Sequence, residues 1–204
     1  MLNLLPPATR AIILANVAVF ILQYIVPSPA YDRLALWPLH TADFAVYQVI
    51  TYAFVHGGFT HIFFNMFALY MFGRSLEEIW GPRRFLTYYF ASVLAAALTQ
   101  LTVTSLSHSV YPTVGASGGV FGVLLAFAMN FPKQRIMLLF PPIPMPAWLF
   151  VTLYGIAELV MGVTSTQEGV AHFAHLGGML GGAAVLLYWQ AAGKKRRDSQ
   201  PPGD

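Results

Sequence analysis

Residues 115–131 read GASGGVFGVLLAFAMNF, and this stretch decides the kind of fold that we expect. It is apolar, yet it is shorter than the ~20 residues that a helix needs to cross a bilayer. It also begins in glycines, whose backbone polar groups could not face lipid directly. We therefore predict a helix over Ala116–Phe131 that begins inside a membrane and is shielded there by neighbouring helices.

Five further apolar stretches surround this one. Hydrophobic residues make up 57% of the 204-residue chain and charged residues only 9%, against a usual charged share of about 25% in soluble domains. The sequence thus predicts an all-α, polytopic membrane protein with six transmembrane helices and a short, buried fourth span. The other five predicted spans are Ala11–Val26, Thr60–Trp80, Phe85–Val103, Ala147–Val163 and His172–Gln190.

Basic residues in the short loops predict the orientation of the bundle, because Lys and Arg stay on the cytoplasmic side. All but Arg33 fall on one side, which places both termini in the cytoplasm. We predict a membrane domain over residues 1–191 and a basic, disordered cytoplasmic tail over residues 192–204. The calculated pI of 9.3 could suggest nucleic acid, but the charges lie in clusters between apolar runs. We therefore expect the lipid bilayer, and no nucleic acid, as the partner of these charges.

Three segments between the spans need a separate interpretation. Ser28-Pro29-Ala30 loosely resembles a signal-peptide cleavage site, although a retained first helix is the better interpretation. The segment from Pro27 to Phe59 is predicted to be one long outer loop in the membrane interface. The proline-rich run Pro141–Pro146 is predicted to be a stiff connection, because it cannot lie inside a helix.

Polar residues are concentrated in the first turns of spans two, four and six, which run in the same direction. His61 and Asn65 lie in span two, Ser117 opens span four, and His175 lies one turn into span six. A polar group in hydrocarbon is costly without a partner. Three helices that each place one at the same depth therefore predict a shared interior site.

The spacing of glycines indicates that spans four and six pack closely against each other. Gly118 and Gly122 on span four, and Gly178 and Gly182 on span six, are small residues four positions apart. Such packing would bring Ser117 towards His175. A hydroxyl becomes a useful nucleophile when an imidazole can accept its proton.

An oxyanion formed by such an attack needs hydrogen-bond donors. His61, Asn65 and the backbone N–H of Ser117 are candidates, the last because a helix N-terminus favours negative charge. Taken singly, the serine could be a helix cap, the histidine a buried core group, and the span-two pair an interhelical hydrogen bond. Their shared depth favours the catalytic interpretation.

Histidines could instead indicate a metal site. His56, His61, His172 and His175 are potential ligands, but no H-E-x-x-H motif is present and no carboxylate lies beside them in the sequence. We predict neither a metal nor a cofactor.

Three acidic residues near the predicted site need an interpretation. Glu158 lies midway through span five, where a protonated acid bonded to a neighbouring helix is the favoured interpretation. Asp43 and Glu168 could orient His175, but nothing in their placement requires it. We predict a Ser-His dyad.

This pattern resembles the rhomboid intramembrane serine proteases over almost the whole six-span chain. The resemblance rests on His56, on His61-x-x-x-Asn65-Met66, on Gly115-Ala116-Ser117-Gly118, and on Ala174-His175-Leu176-Gly177-Gly178 with Gly182. It implies a rhomboid-like bundle with a water-filled cavity, Ser117 as nucleophile, His175 as base, and an oxyanion hole of His61, Asn65 and the Ser117 amide. The supporting residues that it implies are His56, Gly115, Gly118, Phe121, Gly178 and Gly182.

Two details of the family pattern bear on individual residues. The base is followed by glycine at the third and seventh positions, which fits His175 and not His172. The aromatic residue one turn after the serine packs on the base, and Phe121 has that place. Many relatives carry a Trp-Arg pair in the first outer loop where this chain has Tyr47-Gln48, so the resemblance does not indicate how that loop is anchored.

The resemblance implies an intramembrane serine endopeptidase that cleaves single-span transmembrane proteins. A catalytically inactive chaperone that binds transmembrane helices is the alternative, and a channel using the same cavity ranks below it because no inverted repeat is evident. We expect a bacterial plasma membrane, because no Arg-rich, Ser-rich presequence precedes the first span. The sequence does not indicate an oligomeric state.

Overall fold

The chain is mainly helical in the computed structural model, which describes residues 5–26, 29–137, 142–164 and 171–198, with side chains up to residue 194. A helix lies at each of the six predicted spans. The described helices are α1 (Pro7–Ile25), α2 (Pro29–Asp32), α3 (Gln48–Thr51), α4 (Phe59–Ala68), α5 (Arg74–Trp80), α6 (Pro82–Ser107), α7 (Ser117–Asn130), α8 (Ala147–Thr164) and α9 (His172–Asp198). A 3₁₀ turn, Tyr52–Phe54, follows α3, and a π-helical turn, Leu69–Gly73, joins α4 to α5.

Three of the described helices are long and apolar enough to cross a membrane: α1, α6 and α8. The chain is therefore a multi-pass membrane protein. The count of six crossings stays a prediction. Helix α7 has 14 residues and is largely buried by its neighbours, as expected for a short helix that starts in glycines.

The predicted boundary between the membrane domain and the tail needs a correction. Helix α9 continues from His172 to Asp198, so residues 192–198 are helical where a disordered tail was expected. Alanine, lysine and arginine have high helix propensities, and cationic residues are favoured near a helix C-terminus. Residues 199–204 of the predicted tail lie outside the described residues.

Helices α6, α7 and α9 pack against one another at the centre of the bundle, and α7 and α9 carry Ser117 and His175. The approach of α9 to α7 depends on glycine, because a Cβ at Gly178 would overlap the carbonyl oxygen of Gly118. Tyr88 on α6 donates from its hydroxyl to the Gly122 carbonyl at 2.7 Å. These contacts hold the start of α7 against α9 on one side and against α6 on the other.

The N-terminus of α1 is capped from elsewhere in the chain. No side chain at the start of this helix caps it. Glu77 of α5, which is buried, instead accepts hydrogen bonds from the backbone N–H groups of Ala8 and Thr9 at 2.8 and 2.6 Å, and from the Thr9 hydroxyl at 2.8 Å. Helix N-termini leave N–H groups unpaired, so one carboxylate here joins α1 to α5.

The long outer loop has an anchor in Gln48. Its fully buried side chain accepts a hydrogen bond from the Trp37 N–H at 3.1 Å. Its amide donates to the carbonyls of Arg33 and Asp43 at 3.1 and 2.8 Å. One side chain thus holds three points of the loop backbone.

A small strand pair follows α7. Arg135–Met137 pairs antiparallel with Pro144–Pro146, so the end of the proline-rich run is extended and not helical. The strand itself was not predicted. Residues 138–141, which include the start of that run, lie outside the described residues.

Candidate active site

Ser117 and His175 meet at the first turns of α7 and α9. The Ser117 Oγ lies 2.8 Å from the His175 Nε2, a distance at which a hydroxyl can donate to an imidazole. Ser117 is the first residue of α7, and His175 is 9% exposed. The close approach of the two helices at Gly118 and Gly178 brings these side chains together.

Phe121 packs on the imidazole, as the resemblance implied. The two rings are parallel within 6°, and their centroids are 4.2 Å apart. Phe121 lies one turn after Ser117 on α7, so its ring and the serine hydroxyl face the same histidine. The contact restricts rotation of the His175 ring while its two nitrogens stay free to bond at its edges.

A cavity of about 1000 Å³ reaches Ser117 and His175. Its wall is mostly apolar and is formed by α4, α7, α8, the end of α9 near His175, and the segment before α7. The residues that line it include Gly57, His61, Phe64, Asn65, Phe67, Ala68, Phe72, Tyr111, Thr113, Val114, Ser117, Phe121, Leu124, Phe150, Leu153, Tyr154 and His175. The cavity is large enough for several residues of an extended peptide.

His61 and Asn65 both line this cavity. The His61 ring lies against Gly115, where a Cβ would overlap the ring and where the backbone has φ +119°. Glycine is suited to both conditions. Asn65 donates one N–H to the His61 carbonyl of its own helix at 2.9 Å, and its amide group has a second N–H to offer.

His56 supports the segment just before Ser117. Its Nε2 accepts a hydrogen bond from the Ala116 N–H at 3.4 Å, and its ring meets the edge of His61 at 5.0 Å. Burial, with a smaller effect of the neighbouring His61, lowers the pKa of His56 to about 4. A neutral His56 therefore holds the loop that leads into α7 at ordinary pH.

Glu158 of α8 lies in the same cluster, and sequence reasoning missed its contact with His175. Its Oε2 lies 2.9 Å from the His175 Nδ1 and 2.7 Å from the His172 Nδ1. The signal available in the sequence was an acidic residue in the middle of an apolar span. Asp43 instead lies in the outer loop, where its carbonyl binds Gln48, and Glu168 lies outside the described residues.

The same cluster bears on the question of a metal. No carboxylate lies beside these histidines in the sequence, but in the fold α8 brings Glu158 against His172 and His175 of α9. The expectation that the histidines have no carboxylate beside them is therefore wrong for the folded chain. One potential ligand atom from each of Glu158, His172 and His175 lies within 4.8 Å of the others. Two histidines and a carboxylate are a set that zinc can use. Hydrogen bonds between these groups already account for their approach, and the absence of a metal stays a prediction.

Residues 43–191 match the family model of the rhomboid domain. The chain belongs to the rhomboid family. The matched residues include every side chain of the cluster described above, from His56 to His175, so the family assignment and the cavity concern the same part of the molecule.

Individual rhomboid relatives have different lengths and locations. Rhomboid protein 1, mitochondrial, of Saccharomyces cerevisiae is 36% identical over 152 residues, which are 74% of this chain and 44% of that protein. Rhomboid protease GluP of Bacillus subtilis is 31% identical over 149 residues, 72% of this chain and 27% of that protein. Rhomboid protease AarA of Providencia stuartii is 28% identical over 204 residues, 88% of this chain and 71% of that protein. The chain thus spans less than half of the first two, and its location in a bacterial membrane stays a prediction.

Proposed function

We propose that this chain is an intramembrane serine endopeptidase that hydrolyses peptide bonds of membrane-protein substrates. The observation that carries the proposal is the 2.8 Å contact between the Ser117 Oγ and the His175 Nε2 inside an apolar cavity. A hydroxyl paired with an unprotonated imidazole is the arrangement of an activated nucleophile. Relatives that are named rhomboid proteases add weight to this chemistry.

The proposed reaction has two steps. Ser117 attacks the scissile carbonyl carbon while its proton passes to the His175 Nε2, and the same nitrogen then protonates the leaving amine. This gives an acyl-enzyme on Ser117 and releases the first product. Water, deprotonated by His175, hydrolyses the ester and returns Ser117 to its starting state.

The negative charge of the tetrahedral intermediate needs donors in the cavity. The backbone N–H of Ser117 at the start of α7 is one, since a helix N-terminus favours an anion. His61 and the second N–H of Asn65 are the others that line the same space. Gly115 and Gly118 leave room beside Ser117 for a substrate backbone.

The cavity also supports a preference for transmembrane substrates. Its apolar wall includes Phe64 and Phe67 of α4 and Leu153 of α8, and these residues are themselves partly exposed on the surface that lipid would cover. A peptide bond within a helix is closed to attack by its own hydrogen bonds. We therefore propose single-span substrates that unwind near the outer face, with helix-breaking or small residues near the cleaved bond.

Cleavage of a panel of single-span substrates by the purified protein in detergent tests the proposal. Wild type is compared with Ser117→Ala and with Ser107→Ala, in which an exposed serine at the end of α6 is changed as a matched control. We expect cleavage by wild type and by Ser107→Ala and none by Ser117→Ala, with all three equally folded. Equal cleavage by Ser117→Ala would refute the proposal, and tight binding of the substrates without cleavage by wild type would favour the chaperone.

A further inference from the structure

One acidic side chain bridges two histidines in the interior of the bundle. Glu158 is 3% exposed, and its Oε2 lies 2.7 Å from the His172 Nδ1 and 2.9 Å from the His175 Nδ1. His175 in turn reaches Ser117 through its other nitrogen, Nε2. The three side chains come from α8, α9 and α7, so a continuous hydrogen-bonded chain runs across three helices.

The geometry at Glu158 favours a carboxylate that accepts both hydrogen bonds. An ionised oxygen can accept from both ring nitrogens, whereas a protonated oxygen would accept from one and donate to the other, whose histidine would then carry its proton on Nε2. A buried carboxylate is costly unless donors surround it, and the two Nδ1–H groups supply them. This differs from the protonated acid that the sequence favoured.

An acceptor at Nδ1 determines what the other nitrogen of His175 can do. A neutral imidazole carries one proton, so a proton held at Nδ1 by Glu158 leaves a lone pair at Nε2. That lone pair faces the Ser117 hydroxyl. The opposite tautomer would direct an N–H at the serine and could not accept its proton.

We propose that Glu158 is a positioning residue that holds His175 in the tautomer and orientation that a base needs, a role that rests on the proposed function. When the Ser117 proton reaches Nε2, the imidazole becomes positively charged, and the adjacent carboxylate stabilises it. Glu158 itself gains no proton, and the proton leaves from Nε2 to the departing amine. Glu158 thus supports the reacting pair of Ser117 and His175 from outside the cavity.

His172 and Phe121 complete the support of this arrangement. The His172 N–H fixes the same oxygen of Glu158 from a second direction, while the Phe121 ring restricts the His175 plane. Orientation by two donors and one stacked ring is a more restrictive arrangement than a single hydrogen bond.

Glu158→Gln tests this role, because the amide has the same shape without the charge. We expect kcat to fall by about 10²-fold, within the range of general-base contributions, while KM changes by less than about twofold because Glu158 does not touch substrate. The rate at which a fluorophosphonate labels Ser117 should fall to a similar extent, since that reaction needs the base and no peptide substrate. Glu158→Asp restores a carboxylate and should recover part of kcat.

The same assay includes wild type, Ser117→Ala and a control variant, Glu78→Gln. Glu78 is a half-exposed glutamate of α5. If wild type cleaves through Ser117 and Glu158→Gln keeps the wild-type kcat, the role of Glu158 is refuted and the proposed function stands. If wild type does not cleave, both fall. Should Glu158→Gln be unfolded by its melting transition, the ¹⁵N chemical shifts of the His175 ring in wild type decide. A proton on Nδ1 would support the proposal, and a proton on Nε2 would overturn it.

Discussion

Removal of the Glu77 carboxylate should destabilise the bundle at a point far from the candidate active site. Glu77 accepts three hydrogen bonds, at 2.8, 2.6 and 2.8 Å, from two backbone N–H groups and one hydroxyl at the start of α1. Glu77→Ala leaves the N–H groups of Ala8 and Thr9 without this acceptor. A buried unsatisfied donor costs about 1–3 kcal/mol, and water that enters the gap would recover part of this cost, so we expect a loss of about 3 kcal/mol.

Glu77→Gln should cost less, about 1–2 kcal/mol, because its amide oxygen still accepts while the extra strength of a charged acceptor is lost. The measurement is reversible unfolding in mixed micelles, followed by the loss of helical circular dichroism. Glu78→Gln is the matched control, since Glu78 is half exposed and pairs with Arg74 at the surface, where water and salt screen an ion pair and leave it little effect on stability. Glu77→Ala with the stability of Glu78→Gln would refute the role given to this carboxylate.

Three further changes test other parts of the structure. Gln48→Leu should remove three hydrogen bonds of the outer loop and make that loop cleavable by added trypsin or chymotrypsin under native conditions; wild-type resistance would count against the anchor. Gly178→Ala should abolish cleavage and lower the melting temperature, because the added Cβ would overlap the Gly118 carbonyl. Gly193→Ala is the control: this position has open space around it, so the change should leave the melting temperature the same or raise it. The pKa of His56 is lowered from 6.5 to about 4, so the stability that its neutral form provides above pH 6.5 is lost as the pH falls through about 4, at a cost of up to about 3 kcal/mol. His56→Gln should therefore flatten the dependence of the free energy of unfolding on pH over that range. An unchanged pH dependence in this variant would contradict the assignment.

Sequence reasoning located the helices well because their apolar composition and length are local signals. It also recognised the rhomboid family, which the family model confirms. Ser117, His61 and His175 could be selected because polar residues in apolar helices have few explanations. The contact of 2.8 Å between Ser117 and His175 depends on helix packing, and the roles of these residues in catalysis stay predictions.

Other features could not be read from the sequence, for physical reasons that differ. Glu158 has no spacing relation to His175, because α8 and α9 are separate helices whose relative rotation is set by packing. The tail boundary was placed where the apolar run ends, but helix formation continues as long as propensity allows. The loop anchor at Gln48 depends on backbone groups that no residue pattern encodes.

Mass spectrometry of the protein after reaction with a fluorophosphonate probe tests the central claim most directly. The account predicts one adduct, on Ser117, that forms in wild type and in His40→Ala, where an exposed histidine is changed, and that is lost in His175→Ala. The reason is that the probe reacts only with a serine whose proton a base can accept. An adduct on Ser117 that forms equally fast without His175, or wild-type protein that forms none, would contradict the account.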